Sequence, residues 1–249
     1  MKISQKQRAK NREAIIQAAV EMIIEKGLKS ATMRGIAKTA GVSGATIYNY
    51  FPTKESILYA YYGDRFATTA QTIARMEDLD ELSLQEHLQA LFEELLTDFL
   101  EDREFLQATF QAVFFSMPPN HKNLKPIQDV FFDCVRRAFE AAVERGELEE
   151  QVFQELVVRF YWDYFMGVVV YWMKDSSEQF SDTSILIDKS MALGCATLKA
   201  GVVNKAFDIC TFLFRNHVLA HLGGPSVGLE VLNVVKDSFF GDHHERSNS

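Results

Sequence analysis

Hydrophobic residues recur every three to four positions along most of the chain. No segment shows the apolar–polar alternation, punctuated by turn residues, that marks a half-buried strand. The pattern predicts an all-α protein. A first helix spans 7–26, with Ile15, Ala19, Met22 and Ile23 on one face and Gly27 to end it. Thr32 is the next N-cap, because its hydroxyl can accept a backbone N–H left unpaired in a first turn. Met33, Ile36, Ala37 and Ala40 follow at helical spacing, and Gly41 accepts the left-handed φ of a helix end cheaply. Ser43 caps a short helix over 44–50, in which Ile47, with Phe51 just beyond, faces inward. Pro52 disfavours continued helix at Phe51. Thr53 then caps a long helix over 54–76, about 30–35 Å at 1.5 Å per residue.

Two helices joined by three or four residues, with a glycine in the turn, form the helix-turn-helix pattern, whose second helix enters the major groove of DNA. The second helix suits that task. Gly44 and Ala45 are small and allow close approach of the backbone. Thr46, Tyr48, Asn49 and Tyr50 offer hydroxyls and an amide without a negative charge, and an Asn can pair with adenine. Lys54, in the first turn of the next helix, is placed to reach a phosphate.

Charge sharpens this picture. The chain has 26 Lys and Arg against 34 Asp and Glu, a net charge of −8. Residues 1–55 hold ten basic and four acidic side chains, a net +6, which leaves −14 for the remainder. A basic head on an acidic body orients the molecule toward a polyanion.

The run from Thr32 to Leu58, TMRGIAKTAGVSGATIYNYFPTKESIL, resembles the N-terminal signature of the TetR family of bacterial transcriptional regulators. The likeness covers residues 10–60; beyond them only the layout is shared. Two positions depart from the commonest pattern: Gly44 replaces a longer polar residue, and Gly35 a frequent Asp. The resemblance implies a three-helix DNA-binding domain over 1–53. A helical ligand-binding and dimerisation domain would follow over 54–249, with 54–76 as the connecting helix. It further implies that Arg34, Gly44, Ala45, Thr46, Tyr48 and Asn49 lie nearest base edges. Thr32, Ser43, Tyr48, Tyr50 and Lys54 would contact phosphates of a near-palindromic double-stranded operator, bound by a homodimer.

In the body, helices are predicted over 83–101, 102–117, 124–145, 149–174 and 182–203. They break at residues 118–120, at Gly146 and in the polar stretch 175–181. The helix over 149–174 is apolar nearly all round from Phe153 to Trp172 and must be buried on more than one side. One side can face its own bundle and the other a partner subunit, through Tyr164, Val168 and Trp172. The next helix carries a small-residue stripe, Ser190, Gly194, Thr197 and Gly201, that permits close helix approach. Two extra helices are read over 204–222 and 226–240, then a tail over 241–249 with His243 and His244 solvated.

The body is dense in aromatic residues. Phe92, Phe99, Phe110, Phe114, Phe131, Tyr161, Trp162 and Phe165 are read as core, some of them lining a cavity for a small, largely apolar or aromatic effector, as the resemblance implies. Asp163 is an acid inside an apolar stretch, available to Arg159 four residues earlier or to a cationic ligand.

No metal motif, phosphate loop or nucleophile–base arrangement is present, so neither cofactor nor catalysis is expected. Cys134, Cys195 and Cys210 lie in apolar helical surroundings and read as reduced thiols. The basic N-terminus lacks the apolar run of a signal peptide. The longest apolar run, residues 164–173, is too short to span a bilayer, so a cytoplasmic protein is expected. Two other readings stay open: a DNA-binding protein that recruits a protein partner, and a helical carrier or enzyme whose basic head is incidental.

Overall fold

Short-range capping sets the first part of the fold. α1 (Gln5–Lys26) opens at Ser4, whose side chain accepts the N–H of Gln7, and closes at Gly27 with φ 79°. α2 (Met33–Thr39) is capped by Thr32, which accepts the N–H of Gly35. The turn passes through Gly41 at φ 68°, a left-handed value that glycine adopts without a Cβ clash. α3 (Gly44–Tyr50) is capped by Ser43, whose Oγ accepts the N–H of Thr46 at 3.0 Å. Phe51, ahead of Pro52, is extended at φ −137°. α4 (Lys54–Ile73) begins with a reciprocal capping box between Thr53 and Ser56. Ile15, Ala19, Ile23, Ile36, Ile47 and Phe51 are buried where α1, α2 and α3 meet. Ala40 and Val42 are half-buried.

The computed structural model describes residues 4–116, 121–151 and 153–213, and among them the chain is helical with no strand. α5 (Leu84–Leu100) starts at a second capping box, Ser83 with Glu86. α6 (Arg103–Phe114) follows after two residues, and α7 (His121–Glu144) carries Pro126 in its second turn. Gly146, at φ 69°, ends the turn after α7. α8 (Gln154–Trp172) starts five residues later than the helix predicted over 149–174. The intervening loop buries Leu148 and Gln151, whose amide donates to the carbonyl of Glu149 at 2.8 Å.

α9 (Ser181–Lys199) and α10 (Val202–Leu213) are separated at Gly201, with φ 64°. The predicted helix over 182–203 therefore ends earlier, and Gly201 is the break rather than part of a helical stripe. The chain divides at Thr197 into two units, and the described part of the second holds the end of α9 and α10. The predicted break at 118–120, the rest of the helix over 204–222, the helix over 226–240 and the tail lie outside the described residues.

α4 packs against α1 on one side and against α5, α6 and α7 on the other, so it belongs to both the head and the body. α7 also packs on α5 and α8. The loop from α8 to α9 is organised by Asp175, which accepts from the backbone N–H and hydroxyl of both Ser177 and Thr183 at 2.6–2.9 Å. The Ser177 contacts, then those of Thr183, hold its carboxyl well below the usual carboxylate range. Arg103 donates to the carbonyls of Trp172, Met173 and Asp175 and stacks over the rings of Trp172 and Phe180. This ties α6 to the end of α8. No helix among the described residues is long and apolar enough to cross a membrane.

Candidate nucleic-acid interface

The reading surface is built outward from Ile47, which is fully buried. With Ile47 fixed against α1 and α2, the residues beside it on α3 turn away from the core. Tyr48 is 56% exposed, and Ala45 and Asn49 are exposed as well. Thr46 is half-buried, with its hydroxyl 2.7 Å from that of Ser43. A Cβ at Gly44 would meet nothing, so the first turn of α3 is open to an approaching surface. From Lys26 to Lys54 the chain carries no acidic residue. Arg34 and Lys38 are exposed on α2, and Thr32 and Ser43 at the caps are exposed too.

Two predicted contacts have partners inside the protein. The Tyr50 hydroxyl accepts from the Asn11 amide at 3.3 Å, which links α3 to α1. Lys54, expected at a phosphate, donates its ammonium to the carbonyls of Leu28 at 2.5 Å and Ala31 at 3.0 Å. It staples the loop that leads into α2. The unusual Gly35 also has a structural reason: a Cβ there would come within 3.0 Å of the Met22 thioether and 3.2 Å of the Thr32 hydroxyl. The missing side chain lets α1 approach the start of α2.

The surface is tied to the body through α4. Arg12 of α1 forms a two-pronged ion pair with Asp64, at 2.5 and 2.9 Å, and lies over the Phe51 ring. Beside Asp64 on α4, Tyr61 and Arg65 both donate to Asp102, at 2.9 and 2.6 Å. Burial, then the Asp102 carboxylate, pushes the Tyr61 phenol far above its ordinary range, so it stays a donor. Tyr62 donates to Thr109, whose own proton goes to the Phe105 carbonyl, and Thr69 donates to Asp98.

Seven of the eight aromatics expected around an effector meet in one cluster: Phe92, Phe99, Phe110, Phe114, Phe131, Trp162 and Phe165. Tyr161 stands apart, against Phe139 and Tyr164. Two rings that sequence reasoning missed hold the cluster together, and both come from α4. Tyr62 touches Phe99, Phe110 and Phe114, and Phe66 touches Phe99, Phe131, Trp162 and Phe165. Their i,i+4 spacing was the available signal.

Of the residues expected at a subunit interface, Val168 and Trp172 are buried within the subunit, at 1% and 2% exposure. Tyr164 is half-buried and bonded through its hydroxyl to Ser190, also half-buried. Gly194 is half-buried near the Tyr161 hydroxyl. Thr197 and Gly201 belong to the second unit. The outward apolar side chains of α8 and α9 are instead Leu156, Phe160, Tyr171, Ile185 and Leu193.

Comparison with known proteins supplies the family. Residues 15–61 match the family model for bacterial regulatory proteins of the tetR family. Residues 87–213, half of the chain, match the model for tetracyclin repressor-like C-terminal domains. The fatty acid metabolism regulator protein of Bacillus subtilis (strain 168) is 45% identical over 64 residues, 26% of this chain and 31% of that protein. The match thus spans about a third of that relative's length. The fold is shared with FadR from Bacillus subtilis, solved with stearoyl-CoA (TM-score 0.58, 24% identity, covering 72% of this chain and 96% of that one). It is shared too with Thermus thermophilus FadR, a TetR-family repressor solved with lauroyl-CoA (TM-score 0.57, 22% identity, covering 73% and 93%). With both halves matched and the helical order in agreement, the chain belongs to the TetR family of bacterial transcriptional regulators.

Proposed function

We propose that this regulator is a homodimeric, ligand-responsive repressor that binds a near-palindromic operator in the cytoplasm and catalyses no reaction. Residues 1–53 form the reading head and 54–249 the effector and dimerisation body. The observation that carries this reading is α3, held by the buried Ile47 with Tyr48 and Asn49 outward on a surface free of acidic residues. Arg34, Gly44, Ala45, Thr46, Tyr48 and Asn49 face base edges; Thr32, Ser43, Tyr48 and Tyr50 serve phosphates. Lys54 acts from within, by fixing the loop before α2.

The effector is a small molecule with a long apolar part. An acyl-CoA is favoured, because two proteins of this fold were solved with lauroyl-CoA and stearoyl-CoA. It would enter the ring cluster and displace Tyr62 and Phe66, and with them α4. Release from DNA follows only if the effector binds one α4 position better than the other. Dimerisation through the outward apolar face of α8 and α9 would set the distance between the two heads.

The direct test is Tyr48→Ala in a gel-shift titration. The side chain is exposed, so the variant should fold and dimerise normally, while operator affinity falls about 100-fold, the loss of roughly 1–3 kcal/mol at each of two heads. Unchanged affinity would contradict the assignment of α3. Addition of lauroyl-CoA or stearoyl-CoA should release the wild-type complex; release by neither would remove the acyl-CoA reading while leaving DNA binding intact.

A further inference from the structure

The outward face of α8 and α9 is largely apolar, with Asp182 at the start of α9 and charged residues near the middle. Phe160 is 63% exposed and Leu193 70%, with Leu156, Tyr171 and Ile185 also outward. Asp163 stands exposed on α8 between Phe160 and Gly167, at the midpoint of the helix. Arg159, one turn earlier, offers an intrahelical partner, yet no ion pair joins them among the described residues. The exposed cation nearest the midpoint of α9 is Lys189, which lines a shallow groove with Tyr171, Ile185 and Leu193 and has no ion pair among the described residues.

α8 and α9 run antiparallel. The Tyr164 hydroxyl bonds to Ser190 at the middle of the pair, while the Trp172 ring meets Phe180 at one end. Asp163 precedes Tyr164 by one residue, and Lys189 precedes Ser190 by one. Because the helices run oppositely, the two side chains are displaced in opposite directions from that middle level. A twofold axis through the middle reverses one displacement. It brings the carboxylate of one copy to the height of the ammonium of the other.

We infer that Asp163 pairs with Lys189 of the partner subunit across this face, and that the pair, formed twice, selects a second copy of this chain in a fixed register. The inference rests on the homodimer reading. Enclosing an unpaired carboxylate in a largely apolar interface is costly, whereas a matched cation offsets that cost. A twofold interface repeats every contact, so it rewards a self-complementary pair of opposite charges. Another protein with a similar apolar face but no cation at this height is rejected.

The test is sedimentation equilibrium of the full chain carrying Asp163→Lys, Lys189→Asp, or both. Both side chains are exposed in the subunit, and unchanged circular dichroism verifies folding. Each single reversal places like charges together and should weaken the dimer about 30-fold or more, and the double variant should return to within about threefold of wild type. Unaffected singles, or a double variant as weak as either single, would overturn the pairing. So would rescue of Asp163→Lys by Arg159→Asp in place of Lys189→Asp. A wild-type protein that is monomeric throughout would defeat the homodimer reading itself. A dimeric wild type with indifferent singles would defeat only the pair.

Discussion

The head and the body are built on opposite plans. The head turns its functional chemistry outward: Tyr48, Asn49, Arg34 and Lys38 stand on the surface, over a small aliphatic core of Ile15, Ile36 and Ile47. The body turns its aromatic residues inward, into a cluster of rings around Phe66. An outward site needs a rigid frame, which caps and glycines supply. An inward site needs a core that can rearrange, and rings in edge and tilted contact suit this because such contacts are many and individually weak. α4 shares both plans, and α1 of the head also packs on α6 of the body. Lys54 and Asp64 of α4 hold the head, while Tyr62 and Phe66 lie among the rings. The proposed coupling would therefore run along α4, from the rings to the head.

The largest expected effect lies in the body. Phe66→Ala removes a buried ring from the cluster and should cost about 3–5 kcal/mol, seen as a fall in the urea midpoint. If α4 couples the two parts, operator affinity should fall as well, although Phe66 is far in sequence from α3. A destabilised protein with wild-type operator affinity would separate the two parts.

Lys54 gives a smaller and sharper contrast. Lys54→Met strands two carbonyls beside the head and should cost about 1–3 kcal/mol of stability. Because the ammonium is engaged inside the protein, the salt dependence of DNA binding should not change. A decrease in slope of about one per subunit would instead return Lys54 to the phosphates.

The smallest effect is at Asp175. Its folded carboxyl is held below the unfolded value, so its contribution is complete above that unfolded value, about pH 4. The contribution is lost as pH falls through the folded value. Asp175→Asn should thus lower the melting temperature at pH 7, with the deficit shrinking below about pH 4. A deficit that persists unchanged at low pH would mean that packing, not charge, organises the loop after α8.

The same contrast explains what could be read in the sequence. In the head, caps and breakers sit next to each boundary: Thr32, Gly41, Ser43, Pro52 and Thr53 each act on immediate neighbours, and α3 runs over the predicted residues. In the body the determinants are distant. The helix predicted from 149 includes the polar run Glu149, Glu150 and Gln151 as a first turn, whereas the chain there is a loop with Leu148 and Gln151 buried. Gly201 reads as a small residue in a helix, and its left-handed φ is fixed by the surrounding chain. Tyr62 and Phe66 in the connecting helix were missed because the rings they meet come from α5, α6, α7 and α8. Which side of α8 faces outward has one local signal, Arg159 and Asp163 four residues apart, and both are exposed. The apolar residues on either side do not show that choice by themselves: Val168 and Trp172 turn in while Phe160 and Tyr171 turn out.

The measurement that bears most directly on the head is fluorescence anisotropy of the wild-type protein on DNA from its own upstream region, over a salt series. Nanomolar, sequence-selective binding that falls steeply with salt, at two subunits or more per site, is the expected result. Weak binding, equal on any DNA, would contradict it and leave only the basic charge of the first 55 residues at work.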